Sequence, residues 1–192
     1  STPKPSSAAS DVYKRQELLR LFLEFHPDIR FHLEIHPALL SEELKEELSL
    51  LPKGLLHLEA GIQSLREPVL EKSRRMGKLS DALDGLRFLC ALPNMETHAD
   101  LIAGLPLYHL HEIFEDVRTL AGYAAGEIQL ESLKLLPGTE MRRRAEELGI
   151  KYSPLPPYEV LQTHEISVSE LQTARQLSLI HISEPTRPEP IS

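Results

Sequence analysis

From Arg30 to His36 apolar and polar residues alternate: Phe31, Leu33 and Ile35 fall on one side, His32, Glu34 and His36 on the other. A period of two predicts a half-buried strand, and Pro37 ends it. The period then lengthens. Leu44, Leu48 and Leu51 recur on one face of a helix. Ser41 suits its N-cap, and Glu42 and Glu43 suit the positive end of its dipole. Pro52 and Gly54 break that helix, and residues 55–58 predict a second strand running into Gly61-Ile62-Gln63-Ser64. Helices are predicted over residues 67–76, with Pro68 in the first turn, and over 80–89, with Leu83, Leu86 and Leu89 facing a core. Residues 96–101 predict a third strand, ending in Ile102-Ala103-Gly104-Leu105-Pro106. A helix over 110–121 follows, then a fourth strand over 127–135 closed by Pro137-Gly138-Thr139, then a helix over 140–148 stopped by Gly149. Residues 150–176 are proline-rich and then weakly helical.

Strand and helix therefore alternate through about four units, which predicts the α/β class with a parallel sheet. Four units cannot close an eight-stranded barrel, but they can form part of a larger or incomplete one. The site of such a barrel lies at the C-terminal ends of its strands. Those ends are residues 34–37, 61–64, 100–106 and 135–139, each carrying polar groups or Gly and Pro. Polar side chains there can converge on one ligand, and Gly61 and Gly104 can let backbone approach it. Plain turn chemistry is the competing account of the same residues. Asp100 at a strand end is costly to bury unpaired, which favours a ligand or a partner.

The formal charge of −8 is spread along helices and leaves no clustered basic face for nucleic acid. No apolar run reaches the roughly 20 residues of a membrane span. Cys90 is the single cysteine, which excludes an intrachain disulfide and a multi-cysteine metal site within this chain. Among Phe88, Leu89 and Leu92 it reads as a small buried hydrophobe. His32, His36 and His57 fall on neighbouring strands. Imidazole is a common metal ligand, but no spacing fixes their separation, so no metal site is expected from them. His109 and His111 read as surface residues.

The two ends are related to each other. One codon choice for Asp11 to Gln16 is GAT GTG TAT AAG AGA CAG, whose reverse complement encodes Leu-Ser-Leu-Ile-His-Ile, the sequence of Leu177 to Ile182. The pair resembles the transposase adapters of sequencing libraries. Residues 1–16 and 177–192 are accordingly expected to be adapter-derived, non-native tails. Residues 17–150 are then expected to be a partial barrel, and 151–176 a C-terminal extension.

Five features fall in order along residues 28–150: Glu34 before His36-Pro37; Ala60-Gly61-Ile62-Gln63-Ser64; the basic helix end Arg74-Arg75; Asp100 to Pro106; and Pro137-Gly138-Thr139. In kind and spacing they resemble the radical S-adenosylmethionine (SAM) superfamily. The resemblance implies the C-terminal part of a partial (β/α)6 TIM-like barrel, in an iron–sulfur oxidoreductase or transferase that cleaves SAM reductively. It implies SAM and a [4Fe–4S] cluster as cofactors, a small-molecule substrate of unknown identity, and an electron donor such as flavodoxin or ferredoxin. It also implies a cytoplasmic location, with no nucleic-acid or membrane partner.

By the same resemblance Gln63 and Asp100 would hydrogen-bond the SAM ribose, with Ser64 in the same binding motif. Arg75 would pair with the SAM carboxylate, a task suited to a planar fork of donors, and Arg74 is its rival. Glu34 would accept from the SAM amino group or brace Arg75, while Ile102 and the Gly104 backbone would pack the adenine. No catalytic residue and no metal ligand is expected from this chain. The sequence departs from the family in its cysteines. The cluster needs three thiolates, usually spaced Cys-x3-Cys-x2-Cys, and they are absent here. The parent is therefore expected to be the enzyme, and this fragment alone not competent. The runs 133–139 and 152–161 further resemble radical SAM proteins that carry a cobalamin-binding domain. Alternatives are a radical SAM enzyme without cobalamin, resembling oxygen-independent coproporphyrinogen oxidases or methylthiotransferases, and a non-catalytic α/β scaffold.

Overall fold

The computed structural model describes residues 18–24, 29–123 and 127–178. The tail expected at 1–16 lies outside the described residues, as does 179–192. Residues 18–24 are helical (α1). Strand β1 (Phe31–Ile35) and a 3-10 turn at Pro37–Leu39 follow, then α2 (Glu42–Leu50), β2 (Leu56–Gln63), α3 (Glu67–Lys72) and α4 (Leu79–Ala91). Next come β3 (Glu96–Ala103), α5 (Leu110–Ala121), β4 (Glu127–Ser132) and α6 (Glu140–Arg143). The chain continues through β5 (Lys151–Tyr152), β6 (Val160–Gln162) and α7 (Val168–Ser178).

β1 to β4 pair in chain order as one parallel sheet, as the alternation of units predicts. The sheet has two unlike faces because successive side chains point to opposite sides. Leu56, Leu58, Ala60 and Ile62 of β2, Ala99, Leu101 and Ala103 of β3 and Leu130 of β4 are buried. They belong to one core with Leu86 and Leu89 of α4 and Ile113, Val117 and Leu120 of α5. Each such leucine contributes on the order of 2 kcal/mol by leaving water. The opposite face is polar. Register sets His32 beside His57, Glu34 beside Glu59, Glu59 beside His98, and Asp100 between Gly61 and Gln129.

Ser41 caps α2 by accepting from the Leu44 amide at 3.3 Å. Four boundaries differ from the sequence expectation. The helix expected over 67–76 stops at Lys72 because Arg74 turns left-handed, at φ 55°. The Arg75 amide then reaches back to the Leu70 carbonyl at 2.8 Å, the closure of a helix end that a glycine more often supplies. The strand expected over 127–135 ends at Ser132. Beyond it Leu133 accepts from the Val160 amide at 2.8 Å, so residues 133–135 pair with the C-terminal segment. The helix expected over 140–148 is regular only through Arg143 and continues as turns. Residues 151–176 hold the small β5–β6 sheet and most of α7, whose Leu171 and Ala174 are buried. That helix runs to Ser178, two residues into the tail expected from Leu177 onward. No helix among the described residues is long and apolar enough to cross a membrane.

Candidate functional site

The C-terminal ends of β2 and β3 open on a cavity of about 320 Å³ lined by Gln63, Arg75, Ile102, Leu105, Leu133 and Met141, among others. Gln63 reaches it through a bulge. Two residues of β2 span one of β3 between Gly61 and Gln63, and Gln63 sits at φ 71°. Such a bulge re-aims a side chain at a strand end.

Arg75 comes next. Its Nη2 donates to the Gly61 carbonyl at 2.6 Å, and its Nε is buried without a hydrogen-bond partner. Burial lowers its pKa, and the charge of Glu34 opposes that shift. Gly61 makes the arrangement possible. A Cβ there would stand 3.1 Å from Arg75 Nη2 and 3.5 Å from Glu34 Oε1. Both arginines border the cavity, but the left-handed turn at Arg74 separates them: Arg74 is 65 % exposed and pairs with Glu140 at 2.9 Å. Arg75 points inward.

Asp100 lies on the polar face, paired in register with Gly61. Burial, then the charges of Glu59 and Glu34 among others, push its carboxyl up to about 7. Its Oδ1 is buried with no hydrogen-bond partner.

Four expected binding residues do not line the cavity: Glu34, which stands against Arg75, Asp100 on the polar sheet face, Ser64 and Gly104. Ser64 is fully buried and its hydroxyl turns toward α5, where it lies 3.4 Å from Asp116 Oδ2. One residue beyond the bulge, its side chain points into the helix layer. Gly104 sits at φ 91°, and a Cβ there would meet Val160 at 3.3 Å and Leu171 at 3.6 Å. The C-terminal extension covers that spot.

Beneath Asp100 the structure assembles a histidine cluster that sequence reasoning missed. His57 Nε2 and His98 Nδ1 lie 2.6 Å apart, and His98 Nε2 is 3.6 Å from carboxylate oxygens of both Glu59 and Asp100. Burial is the first cause that lowers the pKa of both imidazoles. His32 stacks on His57 with centroids 4.6 Å apart. His36 points instead to the cavity, both ring nitrogens buried and unpartnered. The signal for the cluster was parity: His98 and Asp100 share a face of β3, as His57 and Glu59 share one of β2.

Cys90 is half-buried in α4, and burial raises its thiol to about 11. His109 and His111 are exposed.

No family model matches the chain, and no curated protein does. Solved structures do. TsrM from Kitasatospora setae, a radical SAM methyltransferase solved with tryptophan substrate and a SAM analogue, superposes with a TM-score of 0.54 at 18% identity, over 84% of this chain and 33% of that one. The same enzyme has been solved with cobalamin and a [4Fe–4S] cluster bound. Coproporphyrinogen III oxidase (HemN) from Escherichia coli, a radical SAM enzyme, gives 0.54 at 15% identity over 72% of this chain and 38% of that one. Elp3 from Methanocaldococcus infernus gives 0.51 at 16% over 62% and 28%. The chain thus spans about a third of the length of the structures it matches. At these identities the likeness is one of fold: the chain folds as part of a TIM-like barrel of the kind found in radical SAM enzymes.

Proposed function

We propose that this chain is the SAM-cradling part of a radical SAM enzyme. One observation carries the reading: the bulge and the left-handed helix end bring Gln63 and Arg75 to one cavity at the strand ends, with Glu34 against Arg75. The groups present fit the cofactor. Arg75 has a buried, unused Nε and suits a carboxylate. Glu34 suits an ammonium, the Asp100 carboxylate a ribose hydroxyl, and Ile102 the flat face of adenine.

The [4Fe–4S] cluster does not fit this chain. Cys90 is its one cysteine and is held protonated in a helix, while the cluster needs several thiolates. This chain therefore binds and orients SAM, and the cluster loop belongs to the rest of the enzyme, which receives its electron from a donor such as flavodoxin or ferredoxin. By itself the chain produces no 5′-deoxyadenosine.

We further propose a cobalamin-linked parent acting on a small molecule. The two runs that carry that resemblance are tied together: Leu135 donates its amide to the Tyr158 carbonyl at 2.9 Å, and Val160 donates to the Leu133 carbonyl at 2.8 Å. A parent lacking a cobalamin-binding domain would instead belong with enzymes such as HemN.

Calorimetric titration of the chain with SAM tests the cradle. Arg75→Ala and Asp100→Ala should each weaken binding about tenfold, the loss of one charge-assisted hydrogen bond. Arg74→Ala should leave it unchanged. Equal affinities for Arg75→Ala, Asp100→Ala and the unaltered chain would refute the assignment.

A further inference from the structure

We propose that Glu59, His98 and Asp100 form a site for a divalent transition-metal ion of the Zn²⁺ class, on the polar face of the sheet below the SAM cradle. His98 Nε2 lies 3.6 Å from Glu59 Oε1 and 3.6 Å from Asp100 Oδ1. The three ligand atoms all lie within 4.8 Å of one another. These separations are too long for hydrogen bonds, so the groups do not satisfy each other. They suit a shared ion: two ligands about 2.1 Å from a tetrahedral metal stand about 3.4 Å apart.

A second observation points the same way. His98 is only 3 % exposed, and both its Nε2 and Asp100 Oδ1 are buried without a hydrogen-bond partner. A buried polar atom left unpaired is destabilising, and a bound ligand would relieve it. Here two such atoms face the same point, and Glu59 closes the third side.

The surroundings complete the geometry of a metal-binding imidazole. A ligating histidine is held in place through its other nitrogen. His98 Nδ1 is 2.6 Å from His57 Nε2, and His57 Nδ1 is 3.5 Å from the Glu96 carboxylate. With an ion on Nε2, His98 donates its Nδ1–H to His57, and His57 donates its own Nδ1–H to Glu96. Arg30, 42 % exposed and now bonded to both His57 and Glu96, then keeps only its Glu96 partner.

One imidazole with two carboxylates excludes the all-oxygen preference of Ca²⁺ and Mg²⁺ and suits Zn²⁺. Three protein ligands leave a fourth position, open on the side of Glu59, the most exposed of the three at 38 %. The site does not depend on the SAM reading. Asp100 serves both through its two oxygens, while Glu59 and His98 belong to the metal alone.

The test uses the untagged full chain, stripped with a chelator and titrated with ZnCl₂ by calorimetry and with Co²⁺ by visible absorption. One Zn²⁺ per chain is expected, with a tetrahedral Co²⁺ spectrum that Zn²⁺ abolishes. Glu59→Gln and His98→Gln should each weaken Zn²⁺ at least tenfold, and His111→Ala should not. Glu59 is partly exposed, so its variant remains readable if His98→Gln fails to fold. Absence of Zn²⁺ binding overturns the proposal. So does Glu59→Gln with unaltered affinity, or binding lost in His111→Ala and kept in Glu59→Gln. SAM affinity unchanged in Glu59→Gln separates the two sites, so that either reading can fail without the other.

Discussion

Arg66 Nε lies 2.9 Å from Asp116 Oδ1, joining the segment that leaves β2 to the buried side of α5. Asp116 is 1 % exposed, and its other oxygen takes the Tyr108 hydroxyl at 2.7 Å and the Leu65 amide at 2.8 Å. The carboxylate therefore fixes the loop that follows Gln63 and Ser64. Removing one partner of a buried pair leaves the other charge and two donors uncompensated. Arg66 is 30 % exposed, so the loss should fall at the lower end of that class. Asp116→Ala should lose about 3 kcal/mol in urea unfolding. A loss under about 1 kcal/mol would show that water can replace the network.

Tyr108 gives the same network a pH signature. Burial and the Asp116 carboxylate raise its phenol above the ordinary 10.0. A raised folded value favours the protonated form, so this contribution is complete at neutral pH and is lost as pH rises above 10. In an ultraviolet titration, Tyr108 should ionise only with unfolding. Phenylalanine at position 108 should leave the absorbance change before unfolding unaltered. A smaller pre-transition change in that variant would count against the assignment.

Gly85 sits inside α4, where alanine normally adds about 1 kcal/mol. Here a Cβ would stand 2.1 Å from the Pro37 carbonyl oxygen and 2.8 Å from its carbon. Those atoms are backbone and cannot rotate aside. Gly85→Ala should therefore destabilise the chain by about 2 kcal/mol, because α4 would be pushed off the 3-10 turn. A raised Tm would show that the contact is looser than it stands.

Cys90 should be slow toward thiol reagents. Its thiol is raised from 9.0 to about 11 by burial, which lowers the thiolate fraction about 100-fold near pH 8. Reaction with a disulfide reagent should be slower by at least that factor in the folded chain than in urea. Comparable rates would place the thiol in solvent.

The α/β class and the order of its units were legible because they rest on local spacing. Alternation over Phe31–Ile35 marks one half-buried side of a strand, and Ile113, Val117 and Leu120 mark one side of a helix wherever those elements end up. Ser41 caps its own helix from three residues away. The residues at the strand ends could likewise be named in advance, since a parallel sheet places them together at one edge. Gln63, Arg75 and Ile102 do line one cavity.

Which side chain faces inward was not local. Arg74 and Arg75 are indistinguishable as a sequence, and a single left-handed residue sends one to Glu140 and the other to Gly61. Ser64 and Gly104 stand beside inward-facing neighbours yet serve the Asp116 network and the packing of Val160. The His98 cluster depends on register between β2 and β3, whose residues Glu59 and His98 are far apart in the chain. Periodicity states that a face is buried or polar. Only long-range pairing states which residue of another strand lies beside it, and the separations of a candidate metal site follow from that pairing alone.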